Sequence, residues 1–521
     1  MTKKSFVGSA IILMIAGFVV KVLGFIYRIY LSNLIGAEGM GLFQLITPVY
    51  SLVILTLTSG VSIAVSKMVA EEMARYHIVN LRRITSCALA IVITSGIAAS
   101  VAIYMFLNPI INIILKDSRT YYSMLLLIPC IPVVAAASAL KGYFYGVQDV
   151  VPTAFSQIVE QVVRIGLVIA MAGFFLNIGL EYACALATVG MAIGEISNLL
   201  VLFVVYRLRK KMKGVNDTKS TQNGFMRKRT IIKDILKISV PVSFNRFVTS
   251  IMAAVEMILI PRMLLVGGLD YQASIEEYGK LTGMAMPLVF FPSLVTLSLA
   301  TTLVPAISEA LSLKSFKMVN YRISKSIQMT FILGFVFTAI FLVFPDEISD
   351  AIYRKEHIGR ILYLLSFTSI FIYLQQTLLG ILNGLGKQGV SLRNSVIGYA
   401  IRIGFVIYCI PTYGIPGYVI GIIVSSAIVC AMNISTVTKT TGMALDIRNW
   451  ILKPGAIGII MLVIGKYIYG FLKIFVSGST WSITLGILSN IIIAFALLFV
   501  FGVLEKNEMK NLLGLGKVAR R

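Results

Sequence analysis

The chain has 521 residues, 58% of them hydrophobic and only 13% charged, against about 25% charged in ordinary soluble domains, so a water-soluble globule is excluded. At about 20 residues per membrane crossing, fourteen helices use about 280 residues and leave short connections, one longer linker and no room for a sizeable outside domain. The net charge of +24 would suit nucleic acid in a polar protein; in a chain this apolar it marks cytoplasmic loops, and no nucleic-acid partner is expected.

Apolar stretches long enough to span run over 8–32, 44–66, 84–107, 121–144, 153–176, 182–206, 235–265, 281–305, 324–344, 361–384, 392–411, 416–438, 454–474 and 482–504. The predicted fold class is an all-α membrane protein of about fourteen transmembrane helices, in two pseudo-symmetric six-helix lobes plus two C-terminal helices. Lys3 and Lys4 precede the first apolar run as in a signal peptide, but the run continues through Lys21 and Arg28 without a small-residue cleavage site, so a retained first span is expected. On that span Gly17, Lys21, Gly24 and Arg28 recur at spacings of four, three and four and share one face, with open space expected in front of the cations.

The fifth span carries Gln157, Glu160, Gln161 and Arg164 as one stripe, with Glu160 and Arg164 one turn apart and able to neutralise each other. Glu195 on the sixth is a further intramembrane carboxylate. A basic stretch follows with Arg207, Arg209, Lys210, Lys211, Lys213, Arg227, Lys228 and Arg229, expected to be a cytoplasmic linker touching anionic headgroups. The seventh span holds Arg246, Glu256 and Arg262 together with Pro241 and Pro261, and a kink is expected at Pro261. Arg246 and Glu256 mark either a gate or a helix–helix tie. On the eleventh, Ser395, Gly398, Tyr399 and Arg402 repeat the stripe of the fifth, with Gly398 where the carboxylate stood.

That last likeness is part of an internal repeat. Leu140–Ala170 aligns without a gap on Leu378–Tyr408: Gly142 meets Gly380, Gly146 meets Gly384, and Arg164-Ile165-Gly166 meets Arg402-Ile403-Gly404, at an offset of 402 − 164 = 238. Six helices per half is an even number, so both halves enter the membrane in the same direction, as in transporters whose substrate site lies between parallel repeats. The expected division is 1–206 for the N-terminal lobe, 207–234 for the linker, 235–440 for the C-terminal lobe, and 441–521 for two added helices and a basic tail. Lys and Arg collect in alternate loops from Lys67 to Lys453, and Glu38, Asp117, Glu181, Asp270 and Asp346 in the others, which puts both termini inside.

Lys or Arg at the bilayer centre costs roughly 2.5–3.5 kcal/mol, so such groups normally face water or a partner. A guanidinium binds phosphate oxygens through paired donors and stays charged when desolvated, so a pyrophosphate headgroup is the natural ligand of inward-facing Lys and Arg: Arg28, Arg164, Arg262 and Arg402 with Lys21 are expected to hold the phosphates, and Gln157, Glu160, Gln161, Arg246 and Glu256 complete the candidate substrate-binding residues. No GxxxxGK[ST], HExxH or GxSxG occurs, so neither ATP hydrolysis by the chain itself nor other hydrolytic chemistry is supported, and no enzyme or cofactor is expected. The five cysteines lie in or beside apolar runs without a CxxC pair, and His77 and His357 are far apart, so no metal site is expected.

Three segments carry a family resemblance: Lys21-Val22-Leu23-Gly24-Phe25 running to Ile35-Gly36-Ala37-Glu38-Gly39; Lys141–Arg164; and Tyr278–Ala310 with YGKLTGMAMP and LVPAISEA. The chain resembles sporulation members of the polysaccharide-exporter branch of the multidrug/oligosaccharidyl-lipid/polysaccharide flippase superfamily, over nearly its whole length. The resemblance implies two six-helix lobes around a central cavity, and export of an undecaprenyl-pyrophosphate-linked saccharide, lipid II of the spore cortex above all. It also implies cavity arginines on the first, second and eighth helices. Lys21 stands at one first-helix position and Arg28 one residue past the other, whereas the second helix carries Leu52 and Val53 and the eighth no arginine. Two rivals stay open: an ion-coupled exporter of amphiphilic cations using Glu160, Glu195 and Glu256, and a non-transporting scaffold for cell-wall enzymes.

Overall fold

The computed structural model describes residues 6–75, 77–176, 178–214, 226–353, 356–475 and 479–501. Both termini, the middle of the basic linker (215–225) and the basic tail lie outside the described residues. Ten helices among the described residues are long and apolar enough to cross a membrane, twelve when each of two bent pairs counts as one span. The longest, Phe6–Ala74, is broken at Gly36, whose φ of 69° and ψ of −176° suit a residue without a Cβ. It therefore holds spans 1 and 2. With the shorter apolar helix Thr484–Val500, the chain is an all-α multi-pass membrane protein of about fourteen spans.

The others in chain order are span 3 (Ile78–Met105), span 5 (Val151–Leu176), span 6 (Leu180–Gly214), span 7 (Lys228–Val266), span 8 (Ser293–Ser312), span 9 (Phe316–Val343), span 11 (Gln388–Tyr413), span 12 (Ile415–Thr441) and span 13 (Lys453–Phe475). Spans 4 and 10 are the bent pairs. Ser118–Leu127 meets Cys130–Gly146 at 40°, and Gly359–Ser366 meets Ser369–Gly384 at 51°.

Two sequence expectations need correction. Spans 1 and 2 are joined by continuing helix rather than by a loop, because Gly36 alone absorbs the turn. The stretch 281–305 is not one regular helix: Tyr271–Tyr278 leads into a wide turn with i→i+5 bonds over Gly279–Ala285, then Met286–Phe290, then span 8. Span 7 carries both Pro241 and Pro261 inside one helical element.

The chain forms two compact units, Met1–Gly283 and Met284–Arg521, whereas the lobes read from the repeat divide at the linker. In the first unit, Val65, Ile84, Ala139 and Ile235 from spans 2, 3, 4 and 7 share one buried core. In the second, Leu303, Ile323, Leu378 and Val437 from spans 8, 9, 10 and 12 do the same.

The repeat is visible in packing as well as in sequence. A Cβ on Gly142 would lie 2.7 Å from the carbonyl oxygen of Ser62, and one on Gly380 would lie 2.6 Å from that of Ala300. Gly146 touches Ser66 and Val69 as Gly384 touches Val304 and Ile307, and Gly96 meets Pro132 as Gly334 meets Ile370. Every one of these pairs is separated by the offset of 238 found in the sequence. Glycine is required at 142 and 380 because the partner is backbone, which cannot rotate away as a side chain can.

Candidate functional site

Span 1 presents Lys21 on an exposed face, and a Cβ added at Gly17 or Gly24 would meet nothing within 4 Å, so the space expected in front of the cations is there. Arg28 is half-buried two turns further on, and its Nη2 donates to the Thr282 carbonyl at 3.5 Å. The Gln44 amide donates to the same oxygen at 3.0 Å, and the Tyr278 hydroxyl donates to Gln44 O at 3.3 Å. Span 2 can come this close because both sides carry glycine: a Cβ on Gly41 would strike Ile275 O at 2.2 Å, and one on Gly279 would strike Ala37 O at 1.9 Å.

Spans 5 and 6 hold the second group of charges. Arg164 Nη2 lies 2.6 Å from Glu160 Oε1, with both side chains largely buried. Glu160 precedes Arg164 by four residues, the favourable order on a helix. Asn198 on span 6 is fully buried; its Nδ2 donates to Glu160 Oε2 at 2.9 Å and lies 3.5 Å from Glu195 Oε2. Gly190 and Gly194 bring the two helices together, since a Cβ at Gly194 would stand 3.1 Å from Glu160 O. Gln161 is buried with its Oε1 unpartnered, and Gln157 is half-buried.

Span 7 separates Arg246, Glu256 and Arg262. Arg246 is exposed, while Glu256 is fully buried ten residues away, about 15 Å along the helix axis. Arg262 donates to the carbonyls of Ile113 (2.6 Å) and Ile114. These close the wide turn Ile110–Leu115, which Lys116 caps at φ 59°. Carbonyls at a helix end carry partial negative charge, so Arg262 acts there as a C-terminal cap. In the second unit, Arg402 Nε donates to Ser425 Oγ at 3.3 Å, and its guanidinium lies 5.3 Å from the centre of the Tyr399 ring.

Sequence reasoning missed Asn198, although it stands three residues from Glu195 on one helical face. It also placed Glu38 and Asp117 only as outside-loop acids. In the structure Arg119 is held between them, with Nη1 2.6 Å from Glu38 Oε1 and Nη2 2.9 Å from Asp117 Oδ2, while Gln272 donates to Glu38 Oε2 at 3.1 Å. At the other end of span 2, buried Glu72 accepts from Asn80 Nδ2 at 2.6 Å and lies 3.0 Å from His77 Nδ1. Asn80 Oδ1 in turn accepts from Met226 N at 3.3 Å, where the linker rejoins described structure. A cavity of about 440 Å³ opens beside it, among Lys67, Glu71, Arg75, Asp234 and Lys237.

Residues 6–311 match the family described as polysaccharide biosynthesis protein, and residues 281–408 match the MatE family. Stage V sporulation protein B of Bacillus subtilis (strain 168) is 32% identical over the full length of both chains. The chain belongs to the polysaccharide-biosynthesis family. It thus falls in the polysaccharide-exporter branch of the flippase superfamily that its motifs resemble, a group of membrane flippases and transporters. A second relative of this family member, the lipid II flippase MurJ of Bacillus subtilis (strain 168), is 25% identical over 75% of each chain. Among solved structures, the lipid II flippase MurJ in an inward closed conformation superposes at a TM-score of 0.70, with 17% identity over 96% of this chain and 99% of that one. An inward-facing MATE-family multidrug transporter superposes at 0.65, with 14% identity over 82% and 96%. At such identities the two structures establish the fold.

Proposed function

We propose that the protein is a flippase that moves an undecaprenyl-pyrophosphate-linked saccharide across the cytoplasmic membrane by alternating access, with lipid II for spore cortex peptidoglycan as the substrate. The observation that carries this reading is the open face of span 1, where Lys21 stands between two glycines with Arg28 two turns away. A diphosphate needs cations with room in front of them, and among the described residues nothing stands within 4 Å of a Cβ added at Gly17 or Gly24. Lys21 and Arg28 hold the phosphates, Gln157 and Gln161 offer amides to the saccharide, and Arg164 is kept in place by Glu160. Arg262 is engaged by a helix end and acts in support. The lobes at 1–206 and 235–440 are the moving parts, the linker at 207–234 rests on anionic lipid headgroups, and both termini are cytoplasmic. Of the three carboxylates that an exporter of organic cations would use, Glu160 is engaged by Arg164 and Asn198 and Glu256 is fully buried, which leaves Glu195.

The test is reconstitution in liposomes with a fluorescent undecaprenyl-pyrophosphate-linked saccharide. One charge-assisted hydrogen bond contributes about 1.5–3 kcal/mol, so Lys21→Ala and Arg28→Ala are each expected to slow flipping about tenfold to a hundredfold. Unchanged rates in both, at equal protein levels, reject the reading.

A further inference from the structure

We propose that Glu160 and Glu195, with the Asn198 amide between them, form a binding site for a single proton whose occupancy is linked to transport. The proposal rests on the flippase reading only for that link; the site itself is argued from geometry. Two carboxylates share one amide donor, at 2.9 and 3.5 Å. Only one cation is in ion-pair contact, Arg164 on Glu160, and among the described residues Glu195 makes no ion pair within 4 Å. With both carboxyls ionised, the three groups in contact carry one net negative charge inside the membrane, a costly arrangement; a proton on one carboxyl makes them neutral.

A second observation points to the same ligand. Asn198 is fully buried, and its Oδ1 has no hydrogen-bond partner. A buried acceptor without a donor is costly. An ionised carboxylate cannot supply that donor and a carboxylic acid O–H can; the Arg164 Nε–H is buried and itself without a partner, so it does not reach Asn198 Oδ1. Among the described residues no further cation is in ion-pair contact with the two carboxylates; Lys141 of span 4 acts on Glu195 from a distance, Tyr50 of span 2 and Cys130 of span 4 also lie within electrostatic reach of Glu195, and Tyr27 of span 1 and Tyr50 within that of Arg164. The helix Tyr121–Leu127 meets span 6 near its outer end, where Tyr122 stacks on Tyr182. A metal cation fits less well than a proton, because the Arg164 guanidinium already occupies the Glu160 oxygen that it would need.

The repeat supplies the control. At the offset of 238, Glu160 corresponds to Gly398 and Glu195 to Asn433, and Asn433 simply accepts from Asn394 Nδ2 at 2.8 Å. The same helix pair is therefore built in the second unit without either carboxylate. Packing does not require them, and a chain carries one such site rather than two.

Infrared difference spectra of the purified protein, titrated without lipid from about pH 5 to about pH 9, test the site alone, since a carboxylic acid and a carboxylate absorb separately. A carboxylic-acid C=O band that titrates in wild type, and is lost or displaced in both Glu195→Gln and Asn198→Ala, is expected; both variants are first checked for a monodisperse profile. No titrating band in wild type overturns the site, as does a band unchanged in the two variants. Displacement of the wild-type band by sodium chloride but not by choline chloride overturns it in favour of a metal cation. Flipping of the fluorescent lipid-linked saccharide in liposomes then tests the link: occupancy of one proton site changes by up to about tenfold per pH unit, so the wild-type rate is expected to follow pH with that steepness. The Glu195→Gln rate should stay within about twofold across the same range. A wild-type rate flat in pH, with the band present, overturns the link and leaves the site. Absence of flipping at every pH counts against the flippase reading instead.

Discussion

Spans 5 and 11 occupy the same place in the two repeats and each carries an arginine at the same position, yet they hold it differently. Arg164 lies against a carboxylate one turn back, in a pocket that a neighbouring glycine face makes narrow. Arg402 has Gly398 at that place, and a Cβ there would stand 2.5 Å from Val429 Cγ2; its partners include the Ser425 hydroxyl and the Tyr399 ring. Where the first unit spends volume on a second charge, the second spends it on closer helix packing. A duplicated backbone therefore fixes where a cation sits but not how it is neutralised.

Breaking the pair in span 5 has the largest expected effect on stability. Removing one partner of a buried ion pair strands the other charge, at about 3–5 kcal/mol. Glu160→Ala is expected to lower the thermal unfolding midpoint in detergent clearly, and Glu160→Leu combined with Arg164→Met to restore most of the loss. Equal midpoints for Glu160→Ala and wild type would show that the pair is held apart by water.

Next in size is the reverse experiment, giving span 11 what span 5 has. Gly398→Glu sets a carboxylate one turn from Arg402 but drives its Cβ into Val429. Overpacking costs typically about 1–3 kcal/mol, so the variant is expected to be less stable than wild type despite the new ion pair. Shortening the obstacle with Val429→Ala in the same chain should recover part of the loss. A Gly398→Glu protein more stable than wild type would mean that charge, not volume, decides this position.

These contrasts also explain what could be read from the residues alone. The Glu160–Arg164 contact was legible because an i, i+4 spacing fixes it within one helix. The repeat was legible because glycines at 142, 146 and 380 face backbone, which leaves no choice of residue, and Gly384 completes the pattern against Ile307 and Val304. Asn198 was not legible, since its carboxylate partner Glu160 is 38 residues away and only the Gly194 approach brings it near. Arg262 looked like a phosphate ligand because nothing in its own helix hints at the carbonyls of Ile113 and Ile114, about 150 residues earlier. Span 10 bends by 51° without a proline at its break, so no residue type announced it.

The smallest expected effect lies in the Arg402 surroundings. Ser425 is fully buried and its hydroxyl donates to the Ile422 carbonyl at 3.1 Å, so Ser425→Ala takes the acceptor from the Arg402 Nε–H and leaves the ring of Tyr399 in place. A single neutral-to-charged hydrogen bond of 3.3 Å is long, which places the loss near the lower end of the usual range, about 1 kcal/mol or less. Tyr399→Leu keeps bulk but removes the aromatic face, worth about 0.5–1 kcal/mol at a half-exposed site. Because both groups touch the same guanidinium, the double variant should lose more than the sum of the singles if they hold Arg402 jointly, and only the sum if each acts alone. A cycle of thermal midpoints over the four proteins separates these outcomes, and with them whether span 11 replaces one strong partner by two weak ones or by packing alone.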